Sequence, residues 1–290
     1  MNWRRREVLA SALAGVGALA LAGCASVPNA PATESALARE VVNVPAGPGR
    51  ETQLSVWTPA EPRGLVLFST GWGSWPERYG KVIDRLGGMG LAVVAPLHPD
   101  SVRSPGGGNL PPEQAFQGRI ADVAAAAAYG QERFAGLPVL AIGHSFGSLM
   151  AMTAGGALAG LGPFRQPAVR GVIAFSTPGK IEGLVGADAY SGLEVPLLLL
   201  TGTADLVPDY VTDPADHLFP AQTSGADSYA LVMQGAGHEF VDDDAFVERA
   251  WPVIDLFVQA YLFDIFTAGD VLEDWPATGE DQFIVRRAGG

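Results

Sequence analysis

The sequence predicts an α/β domain built on a mostly parallel sheet, and three observations carry that reading. Short β-rich runs recur along the chain with helical patterns between them. Two of these runs, Leu65 to Phe68 and Leu197 to Leu200, are apolar without interruption, as strands covered on both faces are. The chain has 290 residues, 48% hydrophobic and 17% charged, with a mean hydropathy of +0.20, enough apolar surface for a large core and far from the composition of a disordered chain.

The elements follow in order. Strands are expected over Val41 to Val44, Gln53 to Trp57, Leu65 to Thr70, Leu91 to Leu97, Pro138 to Gly143, Gly171 to Ser176, Val195 to Thr201 and Tyr229 to Met233, eight in all. The first two have no helix between them, and Gln53-Leu54-Ser55-Val56-Trp57 alternates like a strand near an edge. From the third onward each strand is followed by a connection, with helices expected over Glu77 to Leu86, Glu113 to Phe134, Phe146 to Leu158 and Asp243 to Phe266. An antiparallel start on a parallel sheet results. Ala124 to Ala128 reads as helix propensity and close packing. Residues 39–266 form one domain, and 267–290 a polar extension whose apolar run Phe283-Ile284-Val285 either packs as an extra edge segment or frays.

The charge is acidic, 18 Lys and Arg against 31 Asp and Glu for a net −13, with no basic patch to track phosphates. Nucleic acid is not an expected partner. One cysteine, Cys24, excludes a disulfide framework, and the four histidines at 98, 144, 217 and 238 lack the i, i+4 pairing of a helical zinc site. No metal and no cofactor are expected.

Residues 1–23 read as a targeting segment: Arg4, Arg5 and Arg6 precede an apolar run from Val8 to Ala22 too short to span a bilayer comfortably. Leu21-Ala22-Gly23-Cys24 resembles a bacterial lipobox, and the arginines before Glu7-Val8-Leu9 resemble a twin-arginine export signal, with general secretion as the alternative. The resemblance implies a lipidated Cys24 at the start of the mature protein and a tether over 24–38. Ala25 stands where retention at the inner membrane calls for aspartate, so the outer membrane is the expected destination in a Gram-negative cell.

Gly143-His144-Ser145-Phe146-Gly147 matches G-x-S-x-G between an apolar strand and a small-residue helix. A serine on such a tight turn has its hydroxyl pushed above the sheet, and the N–H groups opening the helix face the reacting centre. Ser145 is the candidate nucleophile.

From this motif and the order of elements, Val41 to Phe266 resembles the α/β-hydrolase fold family, which implies a sheet of about eight strands and the catalytic order Ser, Asp or Glu, His. Thr201-Gly202-Thr203-Ala204-Asp205 looks like the family's acid turn, making Asp205 the candidate acid with Asp209 the nearest substitute. Gln234-Gly235-Ala236-Gly237-His238 looks like its histidine loop, making His238 the candidate base. The imidazole would take the serine proton and return it to the leaving group, held by the carboxylate. The loop Thr70-Gly71-Trp72-Gly73 looks like the family's His-Gly-x-Gly loop with Thr70 replacing the histidine, which makes the backbone N–H groups of Trp72 and Phe146 the candidate oxyanion donors. The side chains of Trp72 and Trp75 read equally as core packing or as pocket wall. His144 is expected to pack beneath the turn, His98 to make a structural hydrogen bond or line the pocket, and His217 to lie on the surface.

A serine nucleophile departs from the aspartate of haloalkane dehalogenases and epoxide hydrolases and from the cysteine of dienelactone hydrolases. The overall pattern is nevertheless similar to the dienelactone-hydrolase-like and platelet-activating-factor-acetylhydrolase-like groups. Thr177 to Glu194 is too short for a large helical cap. The resemblance therefore implies a serine esterase or lipase-like enzyme with an open site for small-molecule or lipid-like esters, against a serine peptidase, an acyltransferase, or a non-catalytic binding lipoprotein on the same fold.

Overall fold

The computed structural model describes residues 37–108, 110–181 and 183–288. The segment 1–23, Cys24 and most of the tether lie outside the described residues. No helix among the described residues is long and apolar enough to cross a membrane.

Among the described residues nine strands form a single sheet, one more than the sequence leads one to expect. In chain order the elements are β1 (Ala38–Pro45), β2 (Glu51–Thr58), β3 (Gly64–Ser69), α1 (Gly80–Gly88), β4 (Leu91–Pro96), α2 (Pro112–Arg133), β5 (Val139–His144), α3 (Phe146–Ala154), β6 (Val169–Phe175), β7 (Leu197–Ala204), α4 (Phe219–Thr223), β8 (Ser228–Gly237), α5 (Asp244–Tyr261), α6 (Phe266–Glu273) and β9 (Gln282–Arg286). The spatial order is β1-β2-β4-β3-β5-β6-β7-β8-β9. β3 to β8 run parallel to one another, while β1 and β2 at one edge and β9 at the other pair antiparallel.

The unbroken apolar strands have the physical cause expected of them. Leu65 and Leu67 of β3, Val139 and Ala141 of β5, and Leu197 and Leu199 of β7 pack toward α2 and α3. Their alternates Val66, Phe68, Leu140, Ile142, Leu198 and Leu200 pack toward α1, α5 and α6. Period-two alternation on a sheet with two covered faces leaves no polar position in the centre of a strand.

The ends of helices move where local chemistry intervenes. α3 stops at Ala154 because Gly155 and Gly156 follow, and Leu158 takes φ 58°. The helix expected over Asp243 to Phe266 stops at Tyr261 as α5, ahead of Asp264 with its φ of 56°, and α6 begins only at Phe266. The ninth strand comes from Phe283-Ile284-Val285, where Tyr229 of β8 pairs with Val285. At the other edge Ala38 lies beside Thr58 and Leu54 beside Pro96, so β1 starts at the end of the sheet opposite the carboxyl ends of the parallel strands.

Candidate active site

Parallel strands deliver their following loops to one end of the sheet, the usual place for a ligand in an open α/β fold. β5 ends there at His144, and Ser145 follows it with a φ of 54° and ψ of −124° held by the close approach of its neighbours. A Cβ on Gly143 would lie 2.1 Å from the carbonyl oxygen of Gly147, and one on Gly147 would lie 2.1 Å from that of Ser69. The turn therefore needs glycine on both sides of the serine, and it stores roughly 1–3 kcal/mol of backbone strain at a residue that is not glycine. The Ser145 N–H donates to the Phe175 carbonyl at 2.9 Å, and the Ser148 hydroxyl donates to the Ser145 carbonyl at 2.6 Å. Although Ser145 stands at the N-cap of α3, its hydroxyl makes no cap bond and is left for other chemistry.

Asp205 follows β7 and is fully buried. Its Oδ1 accepts from His238 Nδ1 at 2.8 Å, and its Oδ2 accepts from the Ser176 and Thr201 hydroxyls at 2.7 and 2.8 Å. Burial alone would raise this carboxyl, but the donors from His217, His238 and Ser176 outweigh it and hold the group far below the ordinary aspartate value. With Nδ1 committed, Nε2 is the nitrogen His238 has free for proton transfer. Asp209 is exposed in the Val207–Val211 turn with φ 67°; Asp205 is the carboxylate that reaches the histidine.

His238 is tied to the residue before the serine. Its backbone carbonyl accepts from His144 Nε2 at 2.8 Å, and the two rings lie 5.0 Å apart. With Nε2 donating, His144 Nδ1 accepts from the Tyr79 hydroxyl at 3.0 Å, and that hydroxyl accepts from the Gly71 N–H at 2.9 Å. Four segments are thereby joined through two buried side chains. Burial, reinforced by the neighbouring His238, pushes the His144 pKa down to about 3, so it serves as a neutral strut.

The loop after β3 is clamped from beneath. Arg119 of α2, fully buried, donates to the Thr70 and Gly71 carbonyls at 2.6 and 2.9 Å and grips Asp100, and Asp100 accepts from the Gly73 N–H at 2.9 Å. Both neighbours of the Trp72 N–H are thus engaged, while that N–H has no protein acceptor among the described residues. Phe146 opens α3, where N–H groups precede the helical ladder. The Trp72 and Phe146 rings meet edge to face at 5.5 Å. Trp72 is nonetheless 43% exposed, which makes it wall as well as packing.

One histidine departs from expectation and another meets it. His217 is fully buried, not on the surface; its 3-10 turn, Pro214–Leu218, folds its ring under the end of β7, with Nε2 2.9 Å from Asp205 Oδ1. Asp205, His217 and His238 are the described cluster whose donor atoms could surround a cation, but the carboxylate already bonds directly to both rings. His98 makes the structural bonds expected of it. It accepts from the Ser69 hydroxyl at 2.8 Å and contacts Asp122 at 3.0 Å, and Arg50 holds the other Asp122 oxygen at 2.6 Å. This second Ser, His, Asp set is buried throughout, beside a cavity of about 10 Å³, no larger than one water site.

Sequence reading passed over Arg119, Asp100, Tyr79 and the role of His217. Arg119 and Asp122 share the buried stripe of α2 with Ala115, Phe116, Val123 and Ala126, and charges in phase with apolar positions were the available signal. His217 leaves none, because its partners Thr177 and Asp205 are distant in the chain.

The family model Hydrolase_4, described as serine aminopeptidase, S33, matches residues 60–185, a span that includes Ser145 and ends before Asp205 and His238. No curated protein matches the chain. Among solved structures, a puromycin-hydrolyzing peptidase of Mycobacterium tuberculosis is similar with a TM-score of 0.59 at 14% identity, over 80% of this chain and 40% of that one. A dienelactone hydrolase of Anabaena variabilis gives 0.56 at 21% identity, over 78% and 99%. A thermostable carboxyl esterase of Bacillus coagulans gives 0.59 at 15%, over 78% and 99%. The chain thus spans less than half of the peptidase and nearly the whole of the other two. The shared architecture is the α/β-hydrolase fold.

Proposed function

We propose that the protein is a serine hydrolase cleaving carboxylic esters, with Ser145 as nucleophile, His238 as base and acid, and Asp205 as the carboxylate that orients the histidine. The observation that carries this reading is the uncapped Ser145 hydroxyl on a positive-φ turn at the start of α3, at the same end of the sheet as His238 and the buried Asp205 it bonds. His238 Nε2 takes the serine proton as Oγ attacks the carbonyl carbon, and the N–H groups of Trp72 and Phe146 receive the oxyanion. Collapse expels the alcohol with the proton from His238, leaving an acyl-enzyme. Water, deprotonated by the same histidine, then releases the acid.

The exposed rim supports an apolar ester. Trp72 and Val102 stand in the loops after β3 and β4, and Leu206 and Tyr210 in the loop after β7. The described residues of 176–196, between β6 and β7, run through turns with no helix, which leaves this end of the sheet open to bulky acyl or alcohol groups. The esterase and dienelactone hydrolase neighbours and the family-model match support a hydrolase. The peptidase reading stands second because the matching family model is described as an aminopeptidase.

The deciding experiment is hydrolysis of p-nitrophenyl butyrate and of an aminoacyl p-nitroanilide by the wild type and by Ser145→Ala, with a fluorophosphonate probe to locate the nucleophile. Ester turnover abolished in the alanine variant and labelling at Ser145 are expected. Anilide turnover exceeding ester turnover would favour the peptidase, labelling elsewhere would remove Ser145, and a folded wild type inert to both substrates and probe would leave the binding role. For location, the lipobox-like Leu21-Ala22-Gly23-Cys24 supports an exported protein held in the cell envelope by lipid on Cys24, at the outer membrane in a Gram-negative cell.

A further inference from the structure

The geometry points to His217 as an imidazolium with both ring nitrogens protonated, a positioning residue that donates to Asp205 from behind and shares with His238 the carboxylate oxygen that orients that base. As a claim about rate, this rests on the esterase reading above; as a claim about charge, it rests on His217's surroundings alone.

Every atom facing the His217 ring nitrogens accepts hydrogen bonds. Nδ1 lies against the Thr177 carbonyl oxygen, while Nε2 lies 3.0 Å from the Asp205 carbonyl oxygen and 2.9 Å from Oδ1. A neutral imidazole carries one N–H and one lone pair, so either tautomer would press a lone pair against buried oxygens. The Thr177 hydroxyl is committed to the His217 carbonyl at 2.8 Å. Asp205 cannot supply the missing proton, since it already accepts from His238, Ser176 and Thr201. Protonating both His217 nitrogens satisfies every contact at once. Burial opposes that charge, but the hydrogen bond and charge of Asp205 outweigh it and raise the histidine above its ordinary value.

The consequence falls on His238, whose ring is stacked 6.1 Å from that of His217. In a three-residue relay the carboxylate's full charge favours the imidazolium formed during turnover. Here a second imidazolium shares the same Oδ1 and offsets much of that charge. The titratable groups against His217 are Asp205 after β7 and His238 after β8, and the segment after β6 contributes the neutral Thr177. His238 also faces His144 at the end of β5, kept neutral by burial.

The test has two independent arms. In 15N-histidine-labelled wild type at pH 7.5, the resonances absent from His217→Gln should show protons on both ring nitrogens; an unprotonated nitrogen at His217 would overturn the inference. The pH profile of kcat/KM for p-nitrophenyl butyrate should move its acid limb to higher pH in His217→Gln, with His217→Asn made alongside as a second neutral replacement. An unmoved limb in a folded variant would overturn the effect on His238. If the wild type turns over no ester, the esterase reading fails by itself, and the NMR arm still decides the charge of His217.

Discussion

Arg119 and Asp100 meet in a doubly hydrogen-bonded ion pair, Nε to Oδ1 at 2.8 Å and Nη2 to Oδ2 at 2.7 Å, and neither side chain is exposed. The planar fork fits the carboxylate while its remaining N–H groups hold two carbonyls of the loop that carries Trp72. A lysine at 119 retains the charge but cannot make this set of bonds. Arg119→Lys is expected to lower kcat by about 10²-fold through a displaced oxyanion donor, with KM less affected, and to cost about 3 kcal/mol of stability. Steady-state kinetics and urea unfolding check it; an unchanged kcat would dissociate the clamp from the chemistry.

Asp205→Asn puts an amide where His238 requires an acceptor, which favours the wrong tautomer. A loss in kcat of about 10³- to 10⁴-fold is expected with the fold retained by circular dichroism. Asp209→Asn, altering an exposed turn residue, should be nearly silent. The reverse pattern would move the acid to Asp209.

His144 makes acid stability a test of the strut. Its folded pKa is depressed to about 3 by burial and the nearby His238, against about 6.5 in an unfolded chain. The folded state therefore binds fewer protons. Its contribution is complete above pH 6.5 and is lost progressively as the pH falls through 3, on the order of 5 kcal/mol in all. Urea midpoints should decline from pH 7 to pH 4, and His144→Gln should flatten that decline. A wild-type midpoint independent of pH over this range would contradict the neutral strut.

Cys24→Ala should release the protein from the membrane fraction of cells competent in lipoprotein processing while leaving ester turnover unchanged. Wild-type protein recovered soluble with Met1 retained would contradict a lipid on Cys24.

Where the physics is local or strictly periodic, this sequence is legible. Leu197 to Leu200 announces a doubly covered strand, and glycines around Ser145 announce a turn on which nothing else fits. The loops carrying Asp205 and His238 could be found because each follows an apolar strand. Composition misleads when a polar stretch is folded inward: Asp213-Pro214-Ala215-Asp216-His217 reads as surface, yet its last residue is buried against backbone oxygens. Nor can residue types distinguish the two Ser, His, Asp sets. Ser69, His98 and Asp122 have the hydrogen bonds of a relay, but all three are buried and the serine is the last residue of β3, not a residue on a sharp turn.

The direction of β1 governs how mechanical load would pass through the fold. Ala38 sits beside Thr58 at the end of the sheet away from Ser145, and four strand spacings, roughly 19 Å, separate β1 from β5 across the sheet. Tension on the chain ahead of Ala38 is borne first by the β1–β2 ladder, which can yield while β5, β7 and the His238 loop keep their registers. A protein pulled from that side would lose its edge strand before its chemistry.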